Sequence, residues 1–274
     1  MKRKVIYLME NLEEAIRLDI KTNREAVIDE ALWCGIKPGM SILDAGCGPG
    51  KTTAILSEMV QPHGSVVGVD YAEERIKYAR EHYARGDNTT FHVCDLRDKL
   101  QDMGPFDVIW VRFVLEYNRS ESLDIVSNLT ECLKPEGLLC LLDLDYNCLS
   151  HYEMTPPLEG LLKTVMARMD EEFDFDAYAG RKLYSYLYDL GYRDISTHMK
   201  AHHLIYGEIR EEDVVFNWTK KVEVAGKKLR NVFDSYPGGY TQVVADFKQF
   251  LLDPRRFTYT PLILCKGVKP VACS

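Results

Sequence analysis

Hydrophobic positions follow two rhythms along the first half of the chain. Residues 10–33 place Leu12, Ile16, Ile20, Val27, Ile28, Ala31 and Leu32 mostly 3, 4 or 7 apart. That spacing gathers them on a helix face, so one or two helices are predicted, ended by Gly35 and Pro38-Gly39. Short apolar runs then alternate with helical stretches. Strands are predicted at 40–45, 65–70, 89–94, 106–112 and 138–144. Helices are predicted at 52–60, 72–84 and 122–133. Strands apolar on both faces, interleaved with helices, form a parallel sheet covered on both sides. Right-handed crossovers make such a sheet doubly wound.

The rhythm is less regular after residue 146. Helices are predicted at 157–169 and 181–190, the latter stopped by Gly191, with an acidic and aromatic loop at 171–176 between them. A strand follows at 192–206. Two further helices, 211–233 and 241–252, flank Pro237-Gly-Gly239. The last strand, 257–265, contains Pro261, which favours a sheet edge or a bulge.

Polar residues gather at the carboxyl ends of the predicted strands: Asp44, Asp70, Asp95, Arg112, Asp143 and Asp145. Ligands of open α/β sheets bind outside those ends. The strongest signal there is Ser41-Ile-Leu-Asp-Ala-Gly-Cys-Gly-Pro-Gly50, a strand, a glycine turn and the start of a helix. Glycines suit positive φ or close approach of a ligand to backbone, and the helix start offers unpaired N–H groups. A P-loop does not fit, because its first glycine falls on Ala45 and Asp44 would repel a triphosphate. A dinucleotide turn fits in part. Asp70 lies 22 residues beyond Gly48, as a ribose-binding acid should, but the spacing is G-x-G-x-G rather than G-x-G-x-x-G. A nucleoside with a cationic tail and no phosphate accommodates both acids.

Ile42-Leu-Asp-Ala-Gly-Cys-Gly-Pro-Gly50, Gly68-Val-Asp70, Cys94-Asp-Leu96, Phe106-Asp-Val-Ile109 and Leu133-Lys-Pro-Glu-Gly137 occur in the order of the motifs of class I S-adenosylmethionine-dependent methyltransferases. The chain resembles that family over about residues 40–145. The resemblance implies an α/β fold with a Rossmann-like seven-stranded sheet whose last strand is antiparallel. The sixth and seventh strands would be 192–206 and 257–265. The long 207–255 stretch between them implies a helical cap built from the N-terminus and insertions. The chain then divides into N-terminal helices 1–39, belonging to the cap, and a cofactor-binding core at 40–149. An insertion spans 150–180, the core continues over 181–206, the cap insertion covers 207–255, and the last strand and tail occupy 256–274.

The same resemblance implies a cofactor, S-adenosyl-L-methionine, released as S-adenosyl-L-homocysteine. Asp44, Gly46, Cys47 and Gly48 would line its methionine part, Asp70 and Tyr71 its ribose, and Asp95 and Leu96 its adenine. Arg112 and Phe113 follow the fourth strand, against the cofactor. Glu13-Glu-Ala-Ile-Arg17-Leu18 is similar to an N-terminal helix whose arginine meets the cofactor carboxylate.

Methyl transfer from a sulfonium needs alignment of the nucleophile and exclusion of water. A base is needed only for an acceptor that carries a proton. Glu116, Asp145 and His151 are the candidates. Asp143, Asp145 and Asn147 also form a weak oxygen set for a cation, explained equally well as strand-end polar residues, and no metal is assigned. Phe173, Phe175, Tyr178, Tyr184, Tyr186, Tyr188, Phe216, Trp218, Phe233, Tyr236 and Tyr240 give the cap a dense aromatic set, part core and part candidate pocket wall.

Charge and composition narrow the partners. The formal net charge of −8 argues against nucleic acid. Where DNA-amino methyltransferases carry an Asn/Asp-Pro-Pro-aromatic motif, this chain reads Val111-Arg-Phe-Val-Leu-Glu116. No run approaches the ~18 apolar residues of a membrane helix, and residues 1–10 lack the long apolar stretch of a signal peptide. Eight cysteines without C-x-x-C spacing read as reduced thiols of a cytoplasmic protein. The expectation is a methyltransferase, monomeric or homodimeric, acting on O, N or C of a small molecule. A non-catalytic S-adenosylmethionine-binding protein or a protein methyltransferase are the alternatives.

Overall fold

The computed structural model describes residues 12–100, 103–209 and 212–271, without the side chains of 12–14, 212–214, 216 and 217. Residues 1–11, Cys273 and the Phe216 ring, all part of the sequence-based reading, lie outside what is described. Helices α1 (Leu12–Lys21) and α2 (Arg24–Cys34) open the chain. The Asn23 side chain caps α2 by accepting from the Ala26 N–H at 2.9 Å, and Gly35 ends it in the left-handed region at φ 94°.

The parallel core follows as β1 (Ser41–Ala45), α3 (Lys51–Met59), β2 (Ser65–Asp70), α4 (Glu73–Tyr83), β3 (Thr89–Val93), β4 (Phe106–Arg112), α5 (Ser122–Glu131) and β5 (Leu133–Leu144). After it come β6 (His151–Tyr152), α6 (Pro156–Phe173), α7 (Leu183–Asp189), β7 (Arg193–Tyr206), α8 (Glu212–Lys228), α9 (Arg230–Asp234), α10 (Gly239–Leu252) and β8 (Phe257–Val268). The strand order is β3-β2-β1-β4-β5-β8, with β7 on the far edge of β8. Strands β1 to β5 run parallel, and β8 is antiparallel to both β5 and β7. The seven expected strands are present, and the two-residue β6 adds an eighth by pairing with Phe257 and Thr258 at the start of β8.

Three local departures have physical causes. Strand β5 begins at Leu133 rather than 138. Residues 134–137 form an irregularity between the pairs Phe106–Leu133 and Val108–Leu138, with Glu136 at φ 61°. The long helix expected at 211–233 breaks at Leu229, which leaves helical geometry between α8 and α9. Pro261 lies in the interior of the sheet, not at an edge. It faces a bulge: Ala201 pairs with Pro261 and His203 with Thr260, so His202 is the extra residue of β7.

Alternate residues of the central strands bury to opposite sides. Leu43, Ile109, Leu139 and Leu141 meet α5 and α7 through Ile125, Leu129, Leu183 and Leu187. Ile42, Val108, Trp110 and Leu142 meet α2 and α3 through Ala31, Cys34 and Leu56. A separate cluster joins α6, α8, α9 and α10 through Leu158, Val165, Trp218, Phe233, Val243 and Phe247. Helices 6, 8, 9 and 10 therefore have a core of their own, apart from the sheet faces.

Candidate active site

The β1–α3 turn is shaped by three left-handed glycines, Gly46 at φ 83°, Gly48 at φ 54° and Gly50 at φ 94°. A Cβ on Gly46 would stand 2.3 Å from Val114 Cγ2, so only glycine lets the turn pass beneath the β4 loop. At the end of β2, Asp70 accepts from the Gly48 N–H at 3.0 Å and the Ala72 N–H at 2.9 Å. One carboxylate thus ties the glycine turn to the adjoining β2–α4 turn.

A cavity of about 570 Å³ opens above these strand ends. Arg17, Gly46, Cys47, Gly48, Asp70, Tyr71, Asp95, Leu96, Arg112, Phe113 and Glu116 line it. Eleven of the fourteen residues singled out in the sequence therefore converge on one space. Asp95 is held by Arg97, whose Nε donates at 2.8 Å and whose N–H donates at 3.0 Å. Arg112 Nε donates to buried Glu30 at 2.7 Å, with its guanidinium 4.1 Å from the Phe113 ring centre. Burial, followed by the nearby Asp44 and Asp70, pushes the Cys47 thiol well above its ordinary range.

Three expected site residues lie elsewhere. Asp44 is buried behind the turn, outside the cavity lining, and accepts from Thr53 Oγ1 at 2.6 Å. Burial raises its carboxyl to about 7, against the Thr53 bond and the positive Arg112. Asp145 is engaged by Arg181, whose Nε and Nη2 donate at 2.8 and 2.9 Å on the outside of the fold. His151 packs edge-on to Trp218 and Phe250, with Nδ1 2.9 Å from Thr258 Oγ1. Burial pushes that imidazole down to about 4. Neither Asp145 nor His151 reaches the cavity, because β5 ends before it turns toward β6 and carries both away from the strand-end face.

Glu116 does reach it. Its carboxylate accepts from Asn147 Nδ2 at 2.8 Å, and burial raises its pKa while Lys21 and Lys221 oppose the rise. The short 3-10 turn that carries it, Leu115–Tyr117, is fastened from below. Asp143 Oδ2 accepts from the N–H groups of Leu115 and Glu116 at 2.9 and 3.1 Å. Asp143 is thereby a backbone anchor, and among the described residues no cluster of three or more His, Cys, Asp or Glu could hold a metal ion.

The far end of the cavity contains residues that sequence reasoning did not single out: Lys21 of α1, His202 and His203 of β7, and Lys221 of α8, beside Trp218. Of the aromatic set proposed as pocket wall, Trp218 alone lines the cavity among the described side chains. Phe175, Phe233 and Tyr236 are core, and Tyr184 and Tyr188 are exposed. The one advance signal for the histidines was Pro261, since the bulge opposite it brings His202 out of register.

The sheet order with its reversed β8, and the glycine turn flanked by Asp70 and Asp95, define the class I S-adenosylmethionine-dependent methyltransferase fold. The chain belongs to the family described as methyltransferase domain, whose sequence profile matches residues 36–205. It is similar to demethylmenaquinone methyltransferases of Staphylococcus aureus, with 26% identity over 149 residues, covering 52% of this chain and 60% of the relative. The match thus spans about three fifths of the length of those relatives. Among solved structures, Haemonchus contortus phosphoethanolamine N-methyltransferase 2 has a TM-score of 0.56 at 17% identity, covering 90% of this chain and 53% of that one. The [4+2]-cyclase SpnF has a TM-score of 0.55 at 15% identity, covering 91% and 82%. At those identities the likeness is one of fold, and a fold shared with a cyclase does not by itself name a reaction. Among the described residues no helix is long and apolar enough to cross a membrane.

Proposed function

We propose that this chain transfers the methyl group of S-adenosylmethionine to O, N or C of a small-molecule acceptor. The observation that carries this reading is a single cavity that runs from Asp70 and Asp95 to Trp218 and His203. One end suits a nucleoside, and the other leaves room for a second molecule.

In this reading the main chain of Gly46 and Gly48, with Cys47 and Arg17, takes the methionine part. Asp70 takes the ribose diol with Tyr71 beside it. Asp70 also faces Arg75, whose Nε lies 3.5 Å from Oδ1, and a carboxylate has about four acceptor positions. Asp95 accepts from the adenine amine against Leu96, and Arg112 and Phe113 close the side near β4. Asp44 lies beneath the turn and supports it through its bond with Thr53. In this reading residues 40–149 and 181–206 with 256–271 form the cofactor-binding core, which α2 covers on one sheet face through Ala31 and Cys34, and α1, 150–180 and 212–252 form the cap.

The acceptor nucleophile attacks the methyl carbon in line as the C–S bond breaks, leaving neutral S-adenosylhomocysteine. Positioning and exclusion of water supply most of the acceleration. Where the acceptor carries a proton, Glu116 is the carboxylate placed to receive it. The demethylmenaquinone methyltransferase relatives support a small, ring-bearing acceptor.

Calorimetry with S-adenosylmethionine, followed by transfer of a labelled methyl group to metabolite and protein pools, tests the proposal. Binding with labelling of small molecules is the expected result. Binding without transfer would make the chain a sensor, and labelled protein would redirect the substrate class. Tighter binding of ATP or NADH would overturn the cofactor.

A further inference from the structure

Two lysines remote in sequence line the same cavity, apart from the glycine turn. Lys21 ends α1 and Lys221 lies in α8. Lys21 is accessible from the cavity, yet the protein around it crowds the ammonium. Its pKa falls to about 7, first through burial, then through Lys221 and Arg17. Lys221 Nζ rests 3.8 Å from Cys148 Sγ and 4.4 Å from the Trp218 ring centre. Among the described residues neither lysine has a carboxylate ion pair.

One carboxylate among the described residues, Glu116, faces these two ammonium groups, so the pair keeps a net positive charge. Glu116 is the carboxylate that acts on Lys21, and its own proton affinity is raised. The imidazoles of His202 and His203 are held neutral by burial and by both lysines, His203 with its pKa near 2. Their rings meet at 4.3 Å, and His203 lies 5.3 Å from Trp218. His202 Nε2 is buried with no hydrogen-bond partner. Like charges crowded together cost stability unless an opposite charge joins them. The cofactor does not provide it. Its ammonium, sulfonium and carboxylate sum to one positive charge, and Arg17 is already placed for the carboxylate.

We infer that Lys21 and Lys221 form an anion subsite, and that the methyl acceptor is a flat apolar molecule bearing an ionised carboxylate or phosphate. The apolar body occupies the cavity short of Trp218, whose ring Lys221 covers at 4.4 Å, and the anion sits at the two ammonium groups beside the neutral histidines. The inference rests on the methyltransferase reading of the same cavity.

The test titrates 2-naphthoate, 2-naphthyl phosphate and 2-naphthamide into the full chain loaded with S-adenosylhomocysteine. At least one anion should bind about tenfold or more tightly than the amide, as expected of a partly desolvated charge pair. Which anion wins separates carboxylate from phosphate acceptors. Lys21→Met and Lys221→Met should each abolish the preference, and Lys221→Arg should retain it, which separates loss of charge from misfolding. Equal binding of the amide, a preference that survives both methionine variants, or binding of none of the three overturns the inference. So does a Lys21→Met variant that loses affinity for S-adenosylhomocysteine while keeping the anion preference. Failure of S-adenosylhomocysteine to bind the unaltered chain would instead bring down the methyltransferase reading itself.

Discussion

Asp70 and Asp44 show how differently two strand-end carboxylates are used. Asp70 joins two turns through Gly48 and Ala72 and still faces the cavity. Replacing it with alanine removes the proposed ribose acceptor and leaves the N–H groups of Gly48 and Ala72 unpaired. Asp70→Ala should therefore weaken S-adenosylmethionine binding by about a hundredfold, the cost of a charge-assisted pair of bonds, as read by calorimetry. Near-unaltered affinity would remove Asp70 from the site. Asp44 has no ligand-facing surface, and its pKa is raised from 3.8 to about 7. Between those values the folded chain holds a proton that the unfolded chain releases. Its contribution thus favours the folded state below about pH 4 and is lost as pH rises through about 7. Asp44→Asn should flatten the fall in stability over that window, measured by chemical denaturation at several pH values. An unchanged slope would mean that Asp44 titrates normally.

At the scale of elements, the site depends on two joints. The first is the β1–α3 turn, where a Cβ on Gly50 would stand 2.7 Å from Ala79 Cβ and 3.0 Å from the Phe91 ring, at a left-handed φ. Gly50→Ala should cost about 2–4 kcal/mol through strain and overpacking against α4 and β3, seen as a lower denaturation midpoint. The second joint is Asp143 beneath the Glu116 turn. Removing its oxygens orphans the N–H groups of Leu115 and Glu116, so Asp143→Ala should cost about 1–3 kcal/mol. If Glu116 acts as the base, the same variant should lower kcat more than it raises KM for S-adenosylmethionine. A turnover unaffected by the loss would mean that the position of Glu116 is immaterial to the chemistry.

Over the whole molecule, the ends of β1, β2 and β4 with their loops line one part of the cavity, and α1, β7 and α8 line the other. Helix α1 is tied to α3, with Lys51 Nζ donating to the Asp19 carbonyl at 2.7 Å, and to α4, with Tyr83 donating to Asp19. Helices α9 and α10 belong to a cluster remote from the glycine turn. Binding of S-adenosylhomocysteine should slow hydrogen exchange in α1 and in the β1–α3 turn, leaving α9 and α10 unchanged. Equal protection of α10 would show that the helical cluster closes as one body over the cofactor.

The parallel core was legible because burial on both faces writes each strand as a continuous apolar run, with glycine and acid at its end. Local period and local turn chemistry carry that information, and they place Gly46, Asp70 and Asp95 on one rim without reference to the rest of the chain. The acceptor end was not legible. Lys21 and Lys221 lie 200 residues apart, and each alone resembles a solvated helix position. Pro261 signals a bulge, but only the pairing of β7 with β8 shows that it is His202 that the bulge carries into the cavity. Conversely, Asp145 and His151 looked eligible by position along the chain, yet β5 and β6 direct them elsewhere. The sequence alone determined the sheet, the glycine turn and the strand-end rim that carries Gly46, Asp70 and Asp95, because those follow from neighbours in the chain. The tertiary structure decided which charges face each other across the cavity, because that depends on how distant elements cross, and no local period encodes it.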